Sequence, residues 1–74
     1  MRKLYRFETA YGEFAIETDG IRFFSAFDDD LFASYNTIDE LLKDVSVGGA
    51  FPFAGKLYLN DLGLPESLAG WQRV

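Results

Sequence analysis

The chain contains no cysteine and no histidine among its 74 residues. The first absence excludes a disulfide framework and any thiolate metal site. The second removes the commonest general base together with the commonest zinc ligand. No segment approaches the roughly 20 apolar residues that a helix needs to span a bilayer. Met1-Arg2-Lys3-Leu4-Tyr5-Arg6 is basic but has no apolar run behind it, so it does not read as a signal peptide. These absences lead us to expect a cytoplasmic protein that does not engage membrane. Also missing are the GxGxxG and GK[ST] patterns of nucleotide-binding loops.

What remains must hold itself together by burial, in one domain spanning residues 1–74, near the lower size limit for an unstapled core. A composition 49% hydrophobic and 26% charged is that of an ordinary globular domain. Aromatic residues make up 18% and supply large buried areas per side chain.

Alternation dominates the first half. Tyr5, Phe7 and Thr9 fall on one side of a strand over residues 3–9, and Phe14, Ile16 and Thr18 on one side of a strand over 13–18. A third run, 21–27, places Ile21, Phe23, Ser25 and Phe27 together. Asp19-Gly20 between two such runs is a strong hairpin signal. With two-residue turns at Tyr11-Gly12 and Asp19-Gly20, Ile16 faces Phe7 and Phe23, and Glu17 faces Arg6 and Arg22. That register predicts one apolar face (Tyr5, Phe7, Phe14, Ile16, Ile21, Phe23, Phe27) and an Arg6–Glu17–Arg22 ladder on the other.

Asp28-Asp29-Asp30 marks the next turn, and 31–35 is an expected fourth strand whose faces depend on the turn length. Thr37-Ile38-Asp39-Glu40 fits a capping box. Ile38, Leu41, Leu42 and Val45 then form one apolar helical stripe, which Gly48-Gly49 ends. At roughly two turns, this helix must dock on the sheet's apolar face. Beyond it, Phe51-Pro52-Phe53 reads as extended, 56–60 as a short strand, and Pro65 as the start of a helical turn through Leu68 closed by Gly70. The expected fold is α+β: an antiparallel β-meander of three to four strands, one short helix on its apolar face, and an irregular aromatic-rich C-terminal segment.

Few residues point to chemistry. Asp28, Asp30, Asn36 and Asp39 have the spacing of a calcium loop. However, Phe32 stands at a ligand position, and Ala33 replaces the glycine of the sharp turn. Glu13 and Glu17 lie about 13 Å apart by strand rise, too far to share a water. A domain this small scarcely encloses a substrate pocket. We therefore expect no catalysis, no cofactor and no metal.

Charge is the more informative feature. The net charge is −5, yet residues 8–44 alone hold ten acidic and two basic side chains. A field of that sign disfavours direct nucleic-acid binding, which needs Lys and Arg on phosphates, and favours a protein partner with a basic surface. The candidate contact residues are the turn and strand-end carboxylates Glu8, Glu13, Asp19, Asp28, Asp29 and Asp30. Phe24 joins them, on the outer face beside Leu4, Ala15 and Ala26, with Phe32 or Tyr35 as further members. Either that face is exposed, or the apolar C-terminal residues Phe51, Phe53, Leu57, Leu59 and Trp71 fold over it. As an array, the carboxylates could imitate nucleic-acid phosphates in a basic cleft. In size and charge the chain is similar to small acidic inhibitors of nucleic-acid machinery, anti-CRISPR proteins among them. The likeness is one of class, and implies a phage or mobile-element origin. The alternative is an antitoxin-like or accessory subunit, a homodimer joined through the outer face or a sheet edge.

Overall fold

The structure is a computed structural model, described over residues 1–47, 65 and 67–74. Four strands follow the expected order: β1 (Arg2–Thr9), β2 (Gly12–Thr18), β3 (Phe23–Phe27) and β4 (Asp30–Tyr35). Helix α1 (Ile38–Val47), a 3-10 turn at Leu68–Gly70 and a two-residue strand β5 (Gln72–Arg73) come after them. The sheet is antiparallel throughout, in the order β4-β3-β2-β1-β5. An α+β meander is therefore present, and β5 extends it by pairing with Tyr5 and Arg6. The expectations for Gly48-Gly49, Phe51-Pro52-Phe53, Leu57, Leu59 and residues 56–60 lie outside the described residues.

One face of the sheet carries the core. Phe14 and Ile16 are fully buried there with Leu41, Leu42 and Val45 of α1, and Tyr5, Phe7, Phe23 and Phe27 pack around them. The apolar stripe read from the sequence is thus the stripe that docks. Thr37 Oγ1 accepts from the Glu40 amide at 3.2 Å, and Glu40 reaches back to the amide of Asn36 instead of Thr37. Both contacts satisfy donors that a helix N-terminus leaves open.

Trp71 belongs to this core and does not cover the outer face. It is 5% exposed, its ring lies 5.9 Å from that of Phe7, and Nε1 donates to the Pro65 carbonyl at 3.0 Å. The helical turn expected at Pro65 starts instead at Leu68, after an extended Ser67. Gly70 sits directly on Pro65: a Cβ there would lie 2.4 Å from the proline Cβ. The chain folds back on the proline because residue 70 has no side chain.

Both hairpin registers differ from expectation by two residues. Gly12 pairs with Thr9, so Ala10-Tyr11 forms the first turn, and Phe7 faces Phe14. Thr18 pairs with Phe23, so residues 19–22 form the second loop, and Ile16 faces Ser25. Since two is the period of a strand, the paired residues between Tyr5 and Phe27 keep their expected faces. The losses are Ile21, which leaves the core and is 83% exposed in the loop, and the charge ladder. Glu17 faces Phe24, Arg6 faces Ala15, and Arg22 donates instead to Asn36 Oδ1 and Ser34 Oγ.

Two bulges complete the sheet. One at Leu4 moves Lys3 opposite Glu17, onto the outer face. The other, beside Phe32, leaves Leu31 opposite Ala26 while Ala33 and Tyr35 turn to the core. Tyr35 is 8% exposed and is not an outer-face residue.

The β3–β4 turn is unusual in composition. Phe27 pairs with Asp30, leaving Asp28 and Asp29 as the two central residues, with φ of +47° and +72°. Positive φ at both positions is the type I′ pattern, which aspartate tolerates and glycine prefers. Gly12 has φ +149°, and a Cβ there would meet Asp28 Oδ2 and the Phe27 ring at 2.6 Å. Asp29→Gly should therefore stabilise the fold by about 0.5–1 kcal/mol, roughly 2–8 °C in Tm. Gly12→Ala should destabilise it by about 1–3 kcal/mol. Thermal unfolding of the two variants checks both signs.

The Tyr35 hydroxyl makes no hydrogen bond of ordinary geometry among the described residues. Burial first, and then the nearby Asp44 carboxylate, push its pKa up to about 12. An acid whose folded pKa is raised stabilises fully below its unfolded pKa, here about 10, and that contribution disappears as pH climbs to about 12. Tyr35→Phe should therefore lose less stability than the wild type between these pH values, as read by denaturant midpoints.

Candidate functional site

In a meander, the first and third turns lie at the same end of the sheet and the second at the other. This places Glu8, Glu13, Asp28, Asp29 and Asp30 together and sends Asp19 to the far end. Six turn carboxylates read from the sequence as one array are therefore five and one.

The five are held in different ways. Glu8 and Glu13 face each other across β1 and β2, a like-charge pair that would repel if left alone. Arg6 lies between them, with one guanidinium nitrogen 3.3 Å from Glu8 and 3.6 Å from Glu13. Lys3 donates to Glu13 Oε1, and its nitrogen lies 3.8 Å from Asp29 Oδ1. The bond to Glu13 raises the Lys3 pKa, against a smaller lowering by burial. Without the bulge at Leu4, continued alternation would turn Lys3 to the core side, away from these carboxylates.

Asp28 is committed to the fold. Its Oδ1 accepts from the Glu13 amide at 2.9 Å, and its own amide donates to the Glu13 carbonyl at 2.9 Å. Glu13 is 22% exposed, whereas the side chains of Glu8 and Asp29 are 66% and 89% exposed. Asp28 and Asp30 are exposed as well. Among the described residues, the end thus presents five carboxylates against the cations Lys3 and Arg6: Glu13 is the internal link, Asp28 is tied to its backbone, Glu8 and Asp29 are largely solvent-exposed, and Asp30, paired with Phe27, is on the core side. No spacing in the sequence marks Lys3 as part of the cluster, because the bulge that turns it outward has no local signature.

Phe24 stands apart, half-buried on the outer face opposite Glu17 and Ser34. Beside it Ala15 and Ala26 are 2% and 0% exposed, so the middle of that face is covered. Further along the sheet, β4 carries two exposed apolar residues, Leu31 at 46% and Phe32 at 42%.

The far end is organised by Asp19. Its Oδ1 accepts from the amides of Ile21 at 2.9 Å and Arg22 at 2.8 Å, while Thr18 Oγ1 donates to the Arg22 carbonyl and accepts from Gly20. These amides, Arg22 foremost, lower the Asp19 pKa. An open hollow of about 410 Å³ adjoins it, lined by Met1, Arg2, Thr18, Asp19 and Gly20. Another of about 290 Å³ lies between Arg2, Leu4, Tyr5, Ile38 and Arg73. Asp19 is the one described carboxylate side chain lining either, and its Oδ1 is taken by backbone.

Among the described residues, no group of three or more acidic, His or Cys side chains is placed to hold a metal ion. The residues with calcium-loop spacing are spread apart, Asp28 just before β4 and Asp30 at its start, Asn36 and Asp39 beyond its other end. Among the described residues, no helix is long and apolar enough to cross a membrane. Compared with known proteins, the chain matches no family model, no curated protein and no solved structure.

Asp19 supplies a pH test of the loop. A carboxylate whose folded pKa is depressed stabilises above its unfolded pKa, near 3.9, and that contribution is lost as pH falls through the lower folded value. The stability advantage of the wild type over Asp19→Ala should be constant near neutral pH and shrink below about pH 4. Urea midpoints across that range check it.

Proposed function

We propose that the protein is a small binding module that engages a basic surface on another protein through the acidic end of its sheet. The observation that carries this reading is the convergence of Glu8, Glu13, Asp28, Asp29 and Asp30 from two turns onto one end, with Lys3 and Arg6 as the cations against them among the described residues. Such a patch attracts cationic partners at long range and orients them on approach. Its rigidity helps: Asp28 is fixed by two backbone bonds and Glu13 by two cations, so little ordering is required on binding. If the bound surface is a nucleic-acid cleft, occupation makes the module an inhibitor. The lack of cysteines suits it to a reducing cytoplasm.

A lysine-rich peptide followed by NMR is the direct test. Shifts should concentrate on Glu8, Glu13 and residues 28–30, and affinity should fall several-fold between about 50 and 300 mM salt. Asp30→Lys should weaken binding several-fold while leaving the fold intact. Shifts spread evenly over the surface, or affinity indifferent to salt, would overturn the proposal.

A further inference from the structure

Among the described residues six side chains are basic, and four of them have partners. Lys3 and Arg6 hold carboxylates, Arg22 bonds to Asn36 and Ser34, and Lys43 has an interaction of its own. Arg2 and Arg73 are exposed and make no side-chain hydrogen bond or ion pair among the described residues. In a chain of net charge −5, rich in carboxylates, two unpaired arginines are unexpected. Both line the same hollow, the one of about 290 Å³.

The bulge at Leu4 brings them together. Arg73 pairs with Tyr5, which packs on the core, and so shares its face. Unbroken alternation from Tyr5 would put Arg2 on the opposite face. The register shift instead pairs Arg2 with Thr18, which shares the core face with Ile16. One bulge therefore sends Lys3 to the outer face and Arg2 to the side of Arg73. Tyr5 and Ile38 wall the space between, and Val74 is held at its border by its amide on the Leu4 carbonyl at 3.0 Å. Lys3 lines it too, with its amine committed to Glu13.

No carboxylate side chain among the described residues lines this hollow. Asp19 borders the neighbouring one, and its Oδ1 accepts from the amides of Ile21 and Arg22. Asp39, beside Ile38, lines neither, and Glu40 is bonded to the Asn36 amide. The α-carboxylate of Val74 makes no ion pair with either arginine.

We infer that the hollow binds a small organic phosphate monoester, its head between the two guanidiniums and its apolar group against Tyr5 and Ile38. The guanidinium fork matches phosphate oxygens in geometry. Two arginines match a head that carries nearly two negative charges above about pH 6. The volume, at the lower limit for small-molecule sites, suits a group the size of one aromatic ring with its phosphate. The chain's overall charge repels anions at long range, so binding depends on these local contacts. Both arginines are solvated, so the dissociation constant is on the order of 1 mM.

Phenyl phosphate titrated into the full chain at about pH 7.5, followed by NMR, tests it. Shifts should concentrate on Arg2, Tyr5, Ile38 and Arg73. Inorganic phosphate and phenol, each lacking half of the ligand, should both bind at least about threefold more weakly. Arg2→Gln and Arg73→Gln should each weaken phenyl phosphate binding by about fivefold or more. Neither arginine has a partner in the fold, so both variants should keep the wild-type spectrum elsewhere. Lys43→Gln removes the same charge away from the hollow and should change affinity less than about twofold. Equal binding of inorganic phosphate, equal weakening by Lys43→Gln, or shifts spread over the surface would each overturn the inference. The hollow lies at the start of β1, at the opposite end of the sheet from Glu8, Glu13 and Asp28, so the lysine-rich peptide and phenyl phosphate tests fail separately.

Discussion

The contact between Asp28 and the Gly12-Glu13 backbone organises the described sheet. One carboxylate oxygen and one amide of Asp28 close a pair of hydrogen bonds with Glu13, joining the third turn to the start of β2. The other carboxylate oxygen occupies the space where a Cβ of residue 12 would sit. This fixes where β2 begins, so the first turn must be Ala10-Tyr11, and β1 from Tyr5 to Thr9 slides by two relative to a turn at Tyr11-Gly12. It also holds two aspartates at positive φ in the middle of a hairpin. The structure tolerates that conformation because the side chain of Asp28 is itself a structural acceptor.

The same contact assembles the acidic end. Bringing two turns together concentrates like charge, which opposes folding, and the sheet answers with Lys3 and Arg6. The bulge at Leu4 supplies half of that answer by turning Lys3 outward. Its bonds to Glu13 are partly exposed and individually weak, but they link a set of charges rather than one pair. The outcome is a patch still negative overall, with its innermost carboxylate neutralised and its outermost ones free to face a partner.

Much of this was legible in the sequence. Alternation assigned Tyr5, Phe7, Phe14, Ile16, Phe23 and Phe27 to the core, where they lie, and the helix stripe and its Thr37 cap were read correctly. The charge ladder was misread. Arg6, Glu17 and Arg22 looked complementary at one register, yet a shift of two keeps Tyr5, Phe7, Phe14, Ile16, Phe23 and Phe27 on the core face while separating the three charges. Ile21 was lost for a related reason: the Asp19 side chain binds the amides of Ile21 and Arg22 and stretches a two-residue turn into a four-residue loop. Of the candidate site, five carboxylates converge as a set, while Asp19 is at the other end and Phe24 is in the half-buried middle of the outer face.

The sequence by itself determined which residues face inward, where the helix begins and that acidic side chains crowd the turns. Those properties are local, set by a period of two in strands, by capping geometry and by composition. Tertiary structure decided the register, the two bulges and which carboxylates meet at one end. The meander that alternation predicts is the same whether its strands are slid by two or not. Only the fit of Asp28 against a glycine with no side chain, fifteen or so residues away along the chain, tells the two apart.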